Sequence, residues 1–404
     1  MRKLVPLLLA LALALPGSAL AQETKVVVWH AYRGAEKSAF EKVVATYNAR
    51  PSTKVKVDAL AVPYDAFADK ITAAVPRGKG PDVFIFAQDK MGGWIEAGNA
   101  IEPIDFYVDA GIKAKYLPTT IDAMTYKGSL WGLPLNYKCI TLIYNKKLVS
   151  APPRTTAEMV KLGQSLTNKA AGQFGLAWAY GDFWYVASML NGYGGAVFGP
   201  GGKPTMNAPE NVKALDQLVK WGKAGFMPAE PSSALITSLF NEGKAAMVFS
   251  GSWFLGEVSK DIDYGMAPLP LLSDAGNKPM RPWMSVEGVY VAAPSKQKEA
   301  AFDFVKYVTD VEAARVMALE GMQNPAVKAV YDDPKVGTDV VLAAFRKQAE
   351  VAVPTPNLPE MTMVWSPATT ALNKINRGSA TPKEALEVAQ AAVEKSVAGL
   401  KKAR

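Results

Sequence analysis

Asp82-Val83-Phe84-Ile85-Phe86-Ala87 is an unbroken apolar run that opens on an acid and leads into the polar triplet Gln88-Asp89-Lys90. Alternation would mark a strand with one wet face. A continuous run marks a strand covered on both faces, which is how strands of a parallel sheet read. Upstream, Lys25-Val26-Val27-Val28-Trp29 predicts a first strand of the same kind. Phe40, Val43, Val44 and Tyr47 then recur at helical spacing, predicting a helix from Ala35 to Tyr47 that Pro51 closes off. Lys54-Val55-Lys56-Val57 reads as a second strand and Tyr64 to Val75 as a second helix. Strand–helix–strand–helix–strand with short links predicts an open α/β sheet with right-handed crossovers. Ligands of such sheets sit beyond the carboxyl ends of the strands, here His30-Ala31-Tyr32-Arg33 and Gln88-Asp89-Lys90.

Farther along, Tyr126 to Pro134 predicts a hairpin turning at Lys127-Gly128, and Thr141-Leu142-Ile143-Tyr144 a strand. Thr155 and Glu158 form a capping box opening a helix to about Leu166. The glycine-rich tract from Asn191 to Gly202 reads as a long loop. Ala245 to Phe249 and Val286 to Ala293 read as strands, with Ser250-Gly251-Ser252 starting a helix that carries Trp253. Helices are expected at Glu299 to Val308, Val311 to Leu319, Val340 to Val351 and Pro382 to Lys401.

The amino terminus has a different character. Met1-Arg2-Lys3, the apolar run Leu4 to Leu15, the breaker Pro16-Gly17-Ser18 and the small-residue pattern Ala19-Leu20-Ala21 predict a secretory signal peptide over residues 1–21. The run is shorter than the roughly 20 residues that a membrane span needs. No lipid-acceptor Cys stands near the cleavage point, so a soluble exported protein, periplasmic in location, is expected. Removing Arg2 and Lys3 lowers the formal charge from +8 to +6 and leaves 383 residues, enough for two cores.

Composition argues against most chemistry. The chain holds one His and one Cys among 404 residues. Those counts exclude paired-imidazole and Cys-cluster metal sites and any internal disulfide. No nucleophile elbow, phosphate-binding loop or complete dinucleotide fingerprint occurs, so no catalytic residue, metal or cofactor is assigned. His30 reads as a hydrogen-bonded residue at a strand end and Cys139 as a buried, inert thiol. Nucleic acid is not expected as a partner, because no Lys/Arg cluster carries interleaved aromatics. Two carboxylates serving a glycosidase are compatible with the many acids present, which keeps a secreted carbohydrate-active enzyme as the alternative.

Aromatic residues are instead placed where loops meet strand ends and helix starts. Phe183, Trp184 and Tyr185 follow Asp182, Trp253 follows Ser250-Gly251-Ser252, and Trp365 follows Pro356 to Met361. A flat ring suits the C–H face of a pyranose, with carboxylates, amides and Lys taking the hydroxyls. Trp29 and Trp221 read as core.

Gly80 to Gly93, Leu142-Ile143-Tyr144-Asn145-Lys146, Pro356-Asn357-Leu358-Pro359-Glu360-Met361 with Val364-Trp365, and Phe240 to Met247 before Gly251-Ser252-Trp253 carry a resemblance over nearly all of the chain after residue 21. The sequence resembles bacterial periplasmic sugar-binding proteins of ABC importers, most closely their maltose/maltodextrin branch. That resemblance implies a type II two-lobed α/β fold, each lobe a mostly parallel sheet flanked by helices, with ligand in the cleft. It implies an N-terminal lobe of 22–136 plus 289–331 and a C-terminal lobe of 141–283 plus 336–404. Hinge crossings would lie at 137–140, 284–288 and 332–335. The implied function is capture of a saccharide, maltose or maltodextrin first, by a non-enzymatic monomer that delivers it to membrane permease subunits, with a chemoreceptor as a further partner. The implied ligand-binding set is Tyr32, Arg33, Phe86, Asp89, Lys90, Lys138, Asp182, Phe183, Trp184, Trp253 and Trp365. Three positions depart from the maltose pattern: Lys90 replaces an Arg, Lys138 an acid and Thr369 an Arg. Lys138 therefore raises the expectation of an oligosaccharide carrying an anionic group.

Overall fold

The computed structural model describes residues 23–51 and 54–403; the expected signal peptide lies outside them. The strands that build its two larger sheets are β1 (Thr24–His30), β2 (Val55–Ala61), β3 (Val83–Ala87), β4 (Leu133–Lys138), β5 (Thr141–Asn145), β6 (Phe174–Trp178), β7 (Ala245–Ser250), β8 (Tyr264–Ala267), β9 (Trp283–Val291), β10 (Asn324–Pro325) and β11 (Val353–Pro354). The first sheet has the order β10-β4-β9-β3-β1-β2, with β11 against β9. The second has the order β8-β5-β7-β6.

β3 is buried at every residue, as its unbroken apolar run predicts. β1 departs from the expectation of two covered faces: Val26, Val28 and His30 are buried, whereas Val27 and Trp29 are only partly so. The difference follows from place in the sheet. β3 lies between β1 and β9, but β1 is one strand in from the β2 edge, and its outer face is covered by Lys70, whose ammonium stands 5.4 Å from the Trp29 ring centre.

The βαβ start is parallel, with Val26 opposite Val57 and Trp29 opposite Phe84. The sheets as wholes are mixed rather than mostly parallel. β9 runs antiparallel to both β3 and β4 and parallel to β11. In the second sheet only β6 and β7 pair parallel.

Local signals fixed several elements. Lys127 and Gly128 both have positive φ, 50° and 83°, the conformation of a tight hairpin turn. The Thr155 hydroxyl accepts from the Glu158 amide at 3.3 Å, and Glu158 in turn accepts from the Arg154 amide at 2.7 Å. The glycine-rich tract is not all loop: Asn191 and Gly192 form the last turn of the helix Phe183–Gly192. Asn191 donates to the Arg281 carbonyl at 3.0 Å, and a Cβ on Gly192 would meet the Pro279 carbonyl oxygen at 2.9 Å, so close packing demands this glycine. β9 begins at Trp283, three residues earlier than the sequence predicts.

Core membership follows the two sheets. Residues from Val26 to Tyr137 and from Met284 to Ala352 supply one apolar cluster, while Ile140 to Trp283 and Met361 to Val397 supply another. Cys139, Ile143, Val248 and Phe345 belong to a third, smaller cluster beside the second. Val336, Leu342, Ala349 and Ala352 pack in the first cluster while Phe345 packs in the third, so the helix Val340–Ala349 contributes to both. Among the described residues, no helix is long and apolar enough to cross a membrane.

Candidate binding site

The carboxyl end of β1 turns into the helix Gly34–Asn48, and this edge is polar but tightly bonded. His30 is buried, and its Nδ1 accepts from the Tyr32 amide at 3.2 Å, while its ring packs 4.7 Å from Phe40. Burial pulls the imidazole pKa down to about 4, so it is neutral at pH 7. Tyr32 also points inward: its hydroxyl donates to Glu287 Oε2 at 2.9 Å. Arg33 stays exposed at the helix start.

Glu287 organises this floor. It lies on β9, where it also accepts from Asn136 Nδ2 at 2.8 Å and pairs with Lys138 at 3.1 Å. Lys138 holds a second carboxylate, Glu36 in the first turn of the following helix, at 3.0 Å. The two carboxylates outweigh burial and raise the Lys138 pKa, fixing the ammonium as a charged group. The charge of Lys138 is thus met by two acids of the protein itself.

The end of β3 supplies Gln88-Asp89-Lys90. Phe86 does not present its ring to solvent. It is 3% exposed, stacks on Phe67 at 4.7 Å and is flanked by Tyr64 at 5.0 Å. Gln88 is fully buried: it accepts from the Val286 amide at 2.7 Å and donates to the Thr355 carbonyl at 3.0 Å. One side chain thus ties β3 to two other passes of the chain. Asp89 and Lys90 pair at 2.9 Å, and burial raises the Asp89 pKa against the opposing pull of Lys90.

The remaining candidates divide into two groups. Asp182 caps the helix Phe183–Gly192 by accepting from the Trp184 amide at 2.8 Å. Burial raises its pKa and that bond opposes the rise. Trp184, Tyr185 and Trp253 then form one aromatic patch: Trp253 meets the Trp184 ring edge-on at 5.7 Å and donates from its indole to the Tyr185 hydroxyl at 3.3 Å. Trp253 is 41% exposed, held out by a four-residue helical turn directly after β7. Phe183 faces the other way, 1% exposed and 5.7 Å from Trp283. Trp283 in turn lies 5.7 Å from Trp365, whose ring stands 6.0 Å from the Lys90 ammonium.

The structure thus brings Trp184 and Trp253 together, and brings Lys90, Asp89 and Trp365 together. It turns Phe86, Phe183 and Tyr32 into packing. Sequence reading did not single out Glu36, Trp283 or Glu287, and it named Gln88 and Tyr185 only as neighbours of the candidates Asp89 and Trp184. The acids and the amide gain meaning only from partners more than a hundred residues away.

The family described as bacterial extracellular solute-binding protein matches residues 33–315. A maltotriose-binding protein of Pyrococcus abyssi (strain GE5 / Orsay) is 31% identical over 359 residues, covering 87% of this chain and 77% of that protein. A galactooligosaccharide-binding protein of Bacillus subtilis (strain 168) is 30% identical, covering 91% and 88%. Among solved structures, a cyclo/maltodextrin-binding protein complexed with maltotetraose superposes with a TM-score of 0.83 at 28% identity, covering 92% of this chain and 97% of that one. The Thermus thermophilus maltotriose binding protein bound with maltotriose gives 0.78 at 29% identity, covering 92% and 100%. The chain belongs to the bacterial extracellular solute-binding proteins, with their two-lobed fold.

Proposed function

We propose that this solute-binding protein captures a neutral maltodextrin-type saccharide in the cleft between its lobes and hands it, unaltered, to the permease subunits of an ABC transporter. The observation that carries the reading is the exposed aromatic patch of Trp184, Tyr185 and Trp253, together with Trp365, whose ring stands 6.0 Å from the Lys90 ammonium. Ring faces of this kind bind the C–H faces of glucose units, and the paired charges of Asp89 and Lys90 offer an acceptor and a donor for hydroxyls. The compensated charge of Lys138 favours a neutral sugar over an anionic one.

The lobes close by a hinge motion about the passes near 137–140, 284–288 and 332–335, with the ligand supplying the difference in affinity between open and closed forms. In this reading residues 1–21 direct export to the periplasm, the protein acts as a monomer, and a chemoreceptor reads the same closed form as the permease. No catalytic group is assigned. Labelled maltotriose incubated with the protein alone is recovered intact; its hydrolysis identifies a carbohydrate-active enzyme instead.

A second reading, a galacto-oligosaccharide, is favoured by the 30% identity to the Bacillus relative. A thermal-shift panel separates the two, since a ligand that binds only the native state raises its melting temperature. Maltotriose raises it and galactosyl oligomers do not. The reverse ranking replaces the first reading by the second.

A further inference from the structure

The aromatic position that sequence alignment selects in the N-terminal lobe is buried. Phe86 occupies the aligned position, and it is enclosed by Phe67, Tyr64 and Trp94, at 4.7, 5.0 and 6.2 Å between ring centres. Phe67 and Trp94 are buried, at 0% and 3% exposure, whereas Tyr64 is 54% exposed. Of this four-ring group, Tyr64 alone reaches solvent to any extent.

Its place in the fold decides what that surface faces. Tyr64 is the first residue of the helix Tyr64–Ala74, three residues after β2 ends at Ala61. Ala61 pairs with His30, the last residue of β1, and His30 pairs with Ile85 one residue before Phe86. Tyr64 therefore stands on the carboxyl edge of β1, β2 and β3, the edge that also bears the Asp89–Lys90 pair. Open α/β sheets bind their ligands at that edge. Phe106 is more exposed, at 92%, but its segment is tied through Ile101 to Ala292, beside the opposite end of β3.

We propose that Tyr64 is the saccharide-stacking residue of the N-terminal lobe, with Phe86 as the buried support that sets its plane. The phenol ring rests against Phe86 and is half exposed, and its exposed part would meet a glucose unit on the sheet edge that bears Asp89 and Lys90. This rests on the saccharide reading above.

The test is calorimetric titration of maltotriose and maltotetraose into the wild-type protein, Tyr64→Ala and Tyr64→Phe. Stacking is carried by the ring, so Tyr64→Phe keeps affinity within about twofold while Tyr64→Ala loses about tenfold or more. Melting temperatures without sugar are measured for all three, and Tyr64→Ala stays close to wild type because the residue is half exposed. Wild-type affinity in Tyr64→Ala overturns the assignment while leaving the saccharide reading intact. Absence of binding by the wild-type protein to any sugar of the panel overturns both.

Discussion

The polar network beside the first sheet and the aromatic patch beside the second, the two rims of the proposed cleft, are built from different chemistry. On the side of the first sheet, Glu36, Lys138, Glu287, Tyr32 and Asn136 are joined by bonds of 2.8–3.1 Å, largely out of solvent. On the side of the second sheet, Trp184, Tyr185 and Trp253 form an edge-to-face patch with Trp253 well exposed. The first arrangement spends its polar groups on one another and so holds strands in register. The second leaves ring faces available to a ligand. Substitutions in the two rims should therefore separate stability from binding.

The largest effect is expected at Glu287. Its removal leaves Lys138 with one partner, and strips Asn136 and Tyr32 of an acceptor in a buried setting. Glu287→Ala should lose about 3 kcal/mol of stability in urea melts, the low end for a broken buried ion pair because Lys138 keeps partial solvent contact. A loss below about 1 kcal/mol would show that the network is not what holds this floor. Trp253→Ala should behave in the opposite way. Affinity for maltotriose falls about thirtyfold, near 2 kcal/mol, with little change in melting temperature. Trp365→Ala follows with about tenfold, since one side of its ring is already taken by Trp283. If both Trp variants bind as the wild type does, the aromatic rim is not the sugar platform.

A further effect, on stability rather than affinity, concerns the contact between Gly92 and the segment at Asn357. The Gly92 amide donates to the Asn357 carbonyl at 3.0 Å, and a Cβ on Gly92 would lie 2.0 Å from that oxygen. Gly92→Ala should cost about 1–3 kcal/mol as the loop shifts, read as a lower denaturant midpoint. His30 supplies the smallest and most condition-dependent effect. Its folded pKa of about 4 lies below the unfolded value of 6.5, so the unfolded chain binds the extra proton. Its contribution is neutral above pH 6.5, and stability is lost as pH falls from there toward 4. His30→Asn should flatten that part of the acid limb in thermal melts; an unchanged limb assigns the acid sensitivity to the carboxylates.

The same contrast explains what was legible in the sequence. β3, the helix Gly34–Asn48 and the hairpin at Lys127-Gly128 follow from local pattern, because burial on both faces, helical spacing and turn chemistry act between near neighbours. The exposed Trp253 could also be found, since it stands directly after a strand. The ionic floor could not. Lys138 and Glu287 are 149 positions apart and Gln88 and Val286 are 198 apart, so only the folded topology makes them partners. Phe86 fails for a related reason: an aligned aromatic position does not reveal that Phe67 and Tyr64 enclose it. The antiparallel return of β9 was hidden as well, because a buried strand reads alike in either direction.

The central claim is that the aromatic rim binds an uncharged maltodextrin without transforming it. Calorimetric titration of maltotriose into the protein, with the recovered sugar assayed for cleavage, tests it most directly. The account predicts saturable one-to-one binding, weakened in Trp253→Ala, with the trisaccharide recovered whole. Absence of binding heat, or release of glucose and maltose, contradicts it.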